Sequence, residues 1–213
     1  MPSNKHLSPI PGLAFEKRAR DEGYAFVAGV DEVGRGCLAG PVVAGSVILD
    51  LSKPLPAGLN DSKKITKSRL PVIAEDIRGG ALAFATGQVE AEMIDRINIL
   101  EATKKAMLLA IAALEPSPDQ LLIDALQLKE SPLAQKSIIK GDSVSASIAA
   151  ASIIAKVYRD ELMTAYDREF PFYGFAKHVG YGTREHFEAL RENGPCRIHR
   201  MSFKGVGSPK LIN

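Results

Sequence analysis

The sequence has few cysteines, no marked excess of charge and no long apolar run, and each shortage removes a class of protein. Cys37 and Cys196 are the only cysteines in 213 residues. Standing far apart and outside any paired metal-ligand spacing, they build neither a disulfide framework nor a zinc motif and are expected to be reduced structural thiols. The net charge of +2 rules out a strongly basic coat, so any contact with nucleic acid has to come from a local patch. The opening stretch MPSNKHLSPIPGL lacks the uninterrupted apolar segment of a signal peptide, and no later window approaches a membrane span. A cytoplasmic location is therefore expected. There is no internal repeat and no low-complexity tract. What is present is an ordinary globular mixture, 46% hydrophobic and 24% charged, long enough for one domain with a full core.

Short β-branched runs separated by turn signals predict strands over Tyr24 to Asp31, Val42 to Leu49 and Ala81 to Glu90, joined as an antiparallel meander. Ala91 to Leu114 has apolar residues at helical spacing and reads as two helices broken near Asn98. Two short strands follow, Leu121 to Asp124 and Ser137 to Lys140, then a helix over Ser143 to Tyr166. The small residues Ala149, Ala150, Ala151 and Ala155 would let that helix lie close against a sheet. Thr183 reads as the N-cap of a last helix, stopped by Gly194-Pro195. The basic tail from Arg197 onward is expected on the surface.

The segment AFVAGVDEVGRG, Ala25 to Gly36, carries the most chemistry. Asp31 and Glu32 sit where an apolar strand meets the edge of the core, and carboxylates there need a positive side chain or a cation. Alternation along a strand sends neighbouring side chains to opposite faces, so both acids reach one ion only if the backbone bends after Asp31. Asp124 after LLI and Asp142 after SIIKG share the same placement at or just past a strand end. Taken singly, Asp124 could open a turn and Asp142 could cap a helix. Taken together, strand ends of an open α/β sheet line its ligand crevice, and four carboxylates in one crevice call for hard cations between them. A dinucleotide loop is the alternative for GRGCLAG. It fails on context, because VVAGSVIL after Pro41 is a strand and a phosphate turn must open a helix.

The stretches GVDEVGRG, AGPVVAG, LNDSKK, LLIDA, KGDSVSASIAAASIIAKVYRD and HVGYGT resemble ribonuclease HII, in that order over about residues 24–200. The resemblance implies a ribonuclease H-like α/β fold: a central mixed five-stranded sheet flanked by helices over about residues 20–165, with a helical C-terminal extension and tail over about 166–213. It implies endonucleolytic cleavage of RNA in RNA-DNA hybrids and of DNA containing single ribonucleotides, with two divalent ions, Mg2+ or Mn2+. By position it assigns the acidic quartet to Asp31, Glu32, Asp124 and Asp142, the reader of the ribose 2′-hydroxyl to Gly34, Arg35 and Gly36, a stacking role to Tyr181, and a phosphate contact to Lys63. A monomer is expected; a sliding-clamp partner has no support in the residues. Two departures stand out. Val179 occupies the place where the family more usually has lysine, and Pro71 falls after DSKK, which predicts a late start or a kink in the helix there.

Two cations would activate water, neutralise the phosphate and assist the leaving oxygen, so no histidine nucleophile is needed. His178 and His186 are eight positions apart, too far for an i, i+4 metal pair, and read as structural or surface residues. Lys64, Lys140 and Lys177 join Lys63 as candidate phosphate contacts. The competing functional class is a catalytically inactive nucleic-acid-binding domain; an intact acidic quartet argues against it, because four carboxylates would repel a phosphate backbone.

Overall fold

A computed structural model describes residues 10–207, so expectations for residues 1–9 and 208–213 lie outside the described residues. Strands β1 (Val27–Val33), β2 (Val42–Ile48) and β3 (Ala83–Val89) form the expected antiparallel meander, while β4 (Gln120–Asp124) and β5 (Ala134–Ile138) run parallel to β1. The order is β3-β2-β1-β4-β5, a mixed five-stranded sheet.

Strand alternation builds two cores. Ala28, Val30, Val42, Ala44 and Ile48 point to one side, where helix α4 (Ile99–Ala112) covers them with Ala102, Ala106, Met107 and Ala110. Val47 points to the other, under helices α2 (Leu70–Gly80) and α5 (Ala146–Glu169). The alanine face of α5 lies flat on the sheet. A Cβ at Gly45 would collide with the Ala151 carbonyl oxygen, and Ala149, Ala150, Ala151 and Ala155 are all fully buried.

Helix α1 (Ala14–Asp21) precedes β1. The break between α3 (Ala91–Ile97) and α4 falls at Asn98, whose side chain accepts from the N-H groups of Leu100 and Glu101. Helix α2 starts late, with Pro71 in its first turn where a missing N-H costs nothing. After α5, the short α6 (Phe175–His178) and α7 (Arg184–Asn193) form a C-terminal lobe; Thr183 caps α7 through the His186 N-H. No helix among the described residues is long and apolar enough to cross a membrane.

Three expectations need correction. The last strand is Ala134–Ile138, not Ser137 to Lys140: Lys140 is left-handed (φ 55°) and opens a short 3-10 turn, Gly141–Ser143. Helix α5 accordingly begins at Ala146, capped by Ser145. The tail from Arg197 lies on the surface only in part: Arg197, Met201, Ser202 and Lys204 are exposed, but Ile198, His199 and Arg200 are buried at 2%, 2% and 0% exposure.

Candidate active site

The parallel strands β1, β4 and β5 deliver acids to the same sheet edge. Asp31 lies one residue past the last β1-β4 pair, Val30 with Ile123; Asp124 ends β4; Asp142 sits in the 3-10 turn after β5. These positions place the sequence-predicted acids together, but the strand does not bend after Asp31. Strand β1 runs on to Val33 against β2, so Asp31 faces α5 and Glu32 the other side. Among the described residues no three His, Cys, Asp or Glu side chains are already closed into a cation shell.

The electrostatics nevertheless mark an uncompensated cluster. Burial raises the Asp31 carboxyl well above the usual carboxylate range, and Glu32 and Asp124 push it further. Burial also raises Glu32, against the pull of Arg35, whose Nη1 donates to Oε1 at 2.9 Å. Asp124 is raised by burial and by Asp142, although its Oδ1 accepts the Gly141 N-H at 2.7 Å. The second oxygen of Glu32 is buried with no hydrogen-bond partner. Besides Arg35, a second cation reaches the cluster: the Lys63 ammonium stands 3.5 Å from Asp142 Oδ2. Burial opposes its charge, but Asp142, Asp61 and Asp31 outweigh that and raise its pKa. An all-oxygen donor set with an orphaned carboxylate oxygen and mutually repelling acids fits a hard divalent cation.

Next to the acids, the segment 34–41 is held from behind by two side chains that sequence reasoning missed. Arg159 and Arg200 are fully buried, and neither has a carboxylate partner among the described residues. Arg200 donates to the carbonyls of Gly34 (2.7 Å), Arg35 (2.9 Å) and Gly40 (2.9 and 3.0 Å). Arg159 donates to Pro41 (3.0 Å), Ala39 (3.1 Å) and Val179 (2.9 Å). Gly34 has φ 86°, and any Cβ there would strike the Arg159 guanidinium. With these carbonyls turned inward to the guanidiniums, the loop is locked against the HVGYGT segment. The only sequence signal was arginine in otherwise apolar or basic surroundings, KVYRD and RIHRM, which patterning alone assigns to solvent.

Tyr181 is 44% exposed, with its hydroxyl beside the buried Cys37 thiol. Val179 is a buried β-branched residue held at φ 45°, a left-handed conformation that is costly for that side-chain class. It supplies a carbonyl to Arg159 instead of the charge a lysine would bring. Lys64 pairs with Asp61 at 4.0 Å and Lys177 with Glu185 at 3.8 Å, whereas Lys140 lies exposed at the turn before Asp142.

His178 and His186 are buried, not surface residues, and with His199 they stiffen the C-terminal lobe. Carbonyls only accept, so His178 Nε2 donates to Tyr173 O (2.8 Å) and His186 Nδ1 to Tyr181 O (2.9 Å). His186 Nε2 must then accept from His199 Nε2 (3.0 Å), and His199 Nδ1 from the Cys196 N-H (2.9 Å). The Cys196 carbonyl, 3.3 Å from that same nitrogen, receives no hydrogen in this arrangement. Burial lowers His186 and His199 to about 4 from 6.5. Because the folded values are depressed, the unfolded chain takes up protons first, and this contribution to stability is lost as pH falls from about 6.5 to 4. The buried acids act in the opposite sense, so imidazole 15N shifts are the direct readout. Both rings are expected to remain neutral at pH 5; either one titrating near 6.5 would contradict the network.

The family model for Ribonuclease HII matches residues 28–206. Ribonuclease HII of Acetivibrio thermocellus is 52% identical over 189 residues, 89% of this chain and 73% of that protein. Ribonuclease HII of Geobacter sulfurreducens is 53% identical over 192 residues, 90% of this chain and 88% of that one. Among solved structures, RNase HII in a PCNA complex from Archaeoglobus fulgidus is similar with TM-score 0.73 and 28% identity, covering 84% of this chain and 96% of that one. The ribonuclease H2 of Pyrococcus horikoshii OT3, at 24% identity and TM-score 0.72, covering 86% of this chain and 96% of that one, shares the fold.

Proposed function

Because the chain belongs to the ribonuclease HII family and is thus a ribonuclease H endonuclease, we propose that it cuts the RNA strand of RNA-DNA hybrids and the 5′ side of single ribonucleotides in duplex DNA. The observation that carries this reading is the buried, mutually repelling acidic cluster at the edge of β1 and β4, directly beside the locked 34–37 loop. We assign Asp31, Glu32, Asp124 and Asp142 as the residues that hold two divalent cations, Mg2+ or Mn2+. Such cations supply charge neutralisation of the phosphate and a lowered pKa for the attacking water.

The rest of the work falls to the chain. Lys63, mostly exposed beside Asp142, is free to swing to a substrate phosphate. The N-H groups of Arg35 and Gly36 point away from Arg200, because each stands trans to the Gly34 or Arg35 carbonyl that the guanidinium holds, and together with the Gly34 backbone they are suited to bind the ribose 2′-hydroxyl and adjoining phosphate. Tyr181 offers a half-exposed ring to the neighbouring sugar. One catalytic domain and a monomer suffice for this arrangement. Cleavage of hybrid, chimeric and all-DNA duplexes with and without Mg2+ tests it: Mg2+-dependent cutting only where RNA is present is expected, whereas binding without cutting would favour a nucleic-acid-binding domain.

A further inference from the structure

Outside the cluster, one buried acid has no role in the assignment above. Glu16 of α1 is 1% exposed. Its Oε1 accepts three hydrogen bonds, from Ser145 Oγ (2.6 Å), Ser147 Oγ (2.7 Å) and the Ser147 N-H (2.9 Å), while Oε2 is buried without a partner. Both serines are fully buried. The preceding segment joins in: Gly12 donates to Val144 O (3.2 Å) and accepts from the Ala146 N-H (2.9 Å). The chain near Glu16 is thus strapped to the first turn of α5, where a carboxylate complements the helix dipole.

What this strap fixes is the turn carrying Asp142. Gly141 is tied on one side by Asp124 Oδ1 and through its carbonyl to the Ser145 N-H at 2.8 Å; Ser145 and Ser147 are tied on the other side by Glu16. Asp142 lies between the two anchors. We propose that Glu16 is a positioning residue that sets the placement of Asp142 for cation binding, from a helix on the far side of the turn. This rests on the reading of Asp142 as a cation ligand.

The test is a double-mutant cycle on Mn2+ affinity of the full chain, read from the electron paramagnetic resonance signal of free Mn2+ without substrate. Glu16→Ala removes the acceptor and is expected to weaken Mn2+ binding about three- to tenfold, at or below the low end of what losing a ligand's supporting hydrogen bond does. Glu16→Gln keeps an acceptor oxygen, is expected to fall between, and serves if the alanine variant does not fold. In an Asp142→Asn background neither substitution is expected to weaken binding further, since the route through Asp142 is gone. A normal loss in Asp142→Asn alongside unchanged affinity in the Glu16 variants, or equal Glu16 losses in both backgrounds, would overturn this inference alone. Unchanged affinity in Asp142→Asn would overturn the site assignment and this inference with it.

Discussion

Asp31→Asn is expected to lower cleavage by about a thousandfold or more while raising the melting temperature of the metal-free protein. The loss follows from removing one negative oxygen from the centre of the cluster; cation stabilisation of the transition state is worth several kcal/mol, and each 1.4 kcal/mol is tenfold in rate. The gain follows from the raised carboxyl of Asp31, whose causes are burial first and then Glu32 and Asp124. A carboxyl raised in the folded state stabilises fully below the unfolded value near 4 and loses that contribution as pH rises through the folded value. Wild type is therefore strained at pH 7 in a way the amide is not, whereas Asn keeps the oxygen that accepts the Glu32 N-H at 2.8 Å. The variant should melt higher at pH 7 by about 2 to 4 °C per kcal/mol relieved, with the difference shrinking toward pH 4. Adding Mg2+ should raise the melting point of wild type only. Near-normal cleavage, or a variant that melts lower at pH 7, would remove Asp31 from this role.

Arg159→Met is expected to have the next largest effect, on stability and selectivity together. Its guanidinium satisfies three carbonyls, Pro41, Ala39 and Val179, and a methionine would leave all three buried without that donor, at a cost of about 1 to 3 kcal/mol per group. Lysine is not a substitute, since one ammonium cannot reproduce the planar fork. Activity measured well below the variant's melting point should fall, and the preference for a ribonucleotide over a deoxynucleotide should narrow about tenfold, because the locked loop is what holds the outward N-H groups in place. A variant that loses stability but keeps full selectivity would show that Arg159 only supports the core.

The acids were legible in the sequence because burial leaves few uses for a carboxylate at the end of an apolar strand, as with LLID before Ala125. The meander and the Asn98 break were legible for local reasons, β-branched runs and a capping side chain. Strand β5 was misplaced because AQKSI is partly polar and lies at the sheet edge, so apolar content pointed three residues too late. Arg200 and His199 are buried although polar, basic patterning points to solvent; what buries them is carbonyls and ring nitrogens brought in from distant segments, 34–40 and 186. Glu16 was hidden for the same reason. Its partners, Ser145 and Ser147, are more than a hundred residues away.

The central claim is that cutting depends on a ribose 2′-hydroxyl held by the 34–36 loop beside the acidic cluster, and three duplexes differing only at one 2′ position test it most directly. With Mg2+ present, the hydroxyl duplex should be cut on the 5′ side of the ribonucleotide, leaving a 3′-hydroxyl and a 5′-phosphate. The deoxy and O-methyl duplexes should be cut about a hundredfold more slowly or less, from an unmet polar group and a misplaced phosphate. Comparable cutting of the all-DNA duplex, or a 2′,3′-cyclic phosphate from the hydroxyl one, would contradict the account.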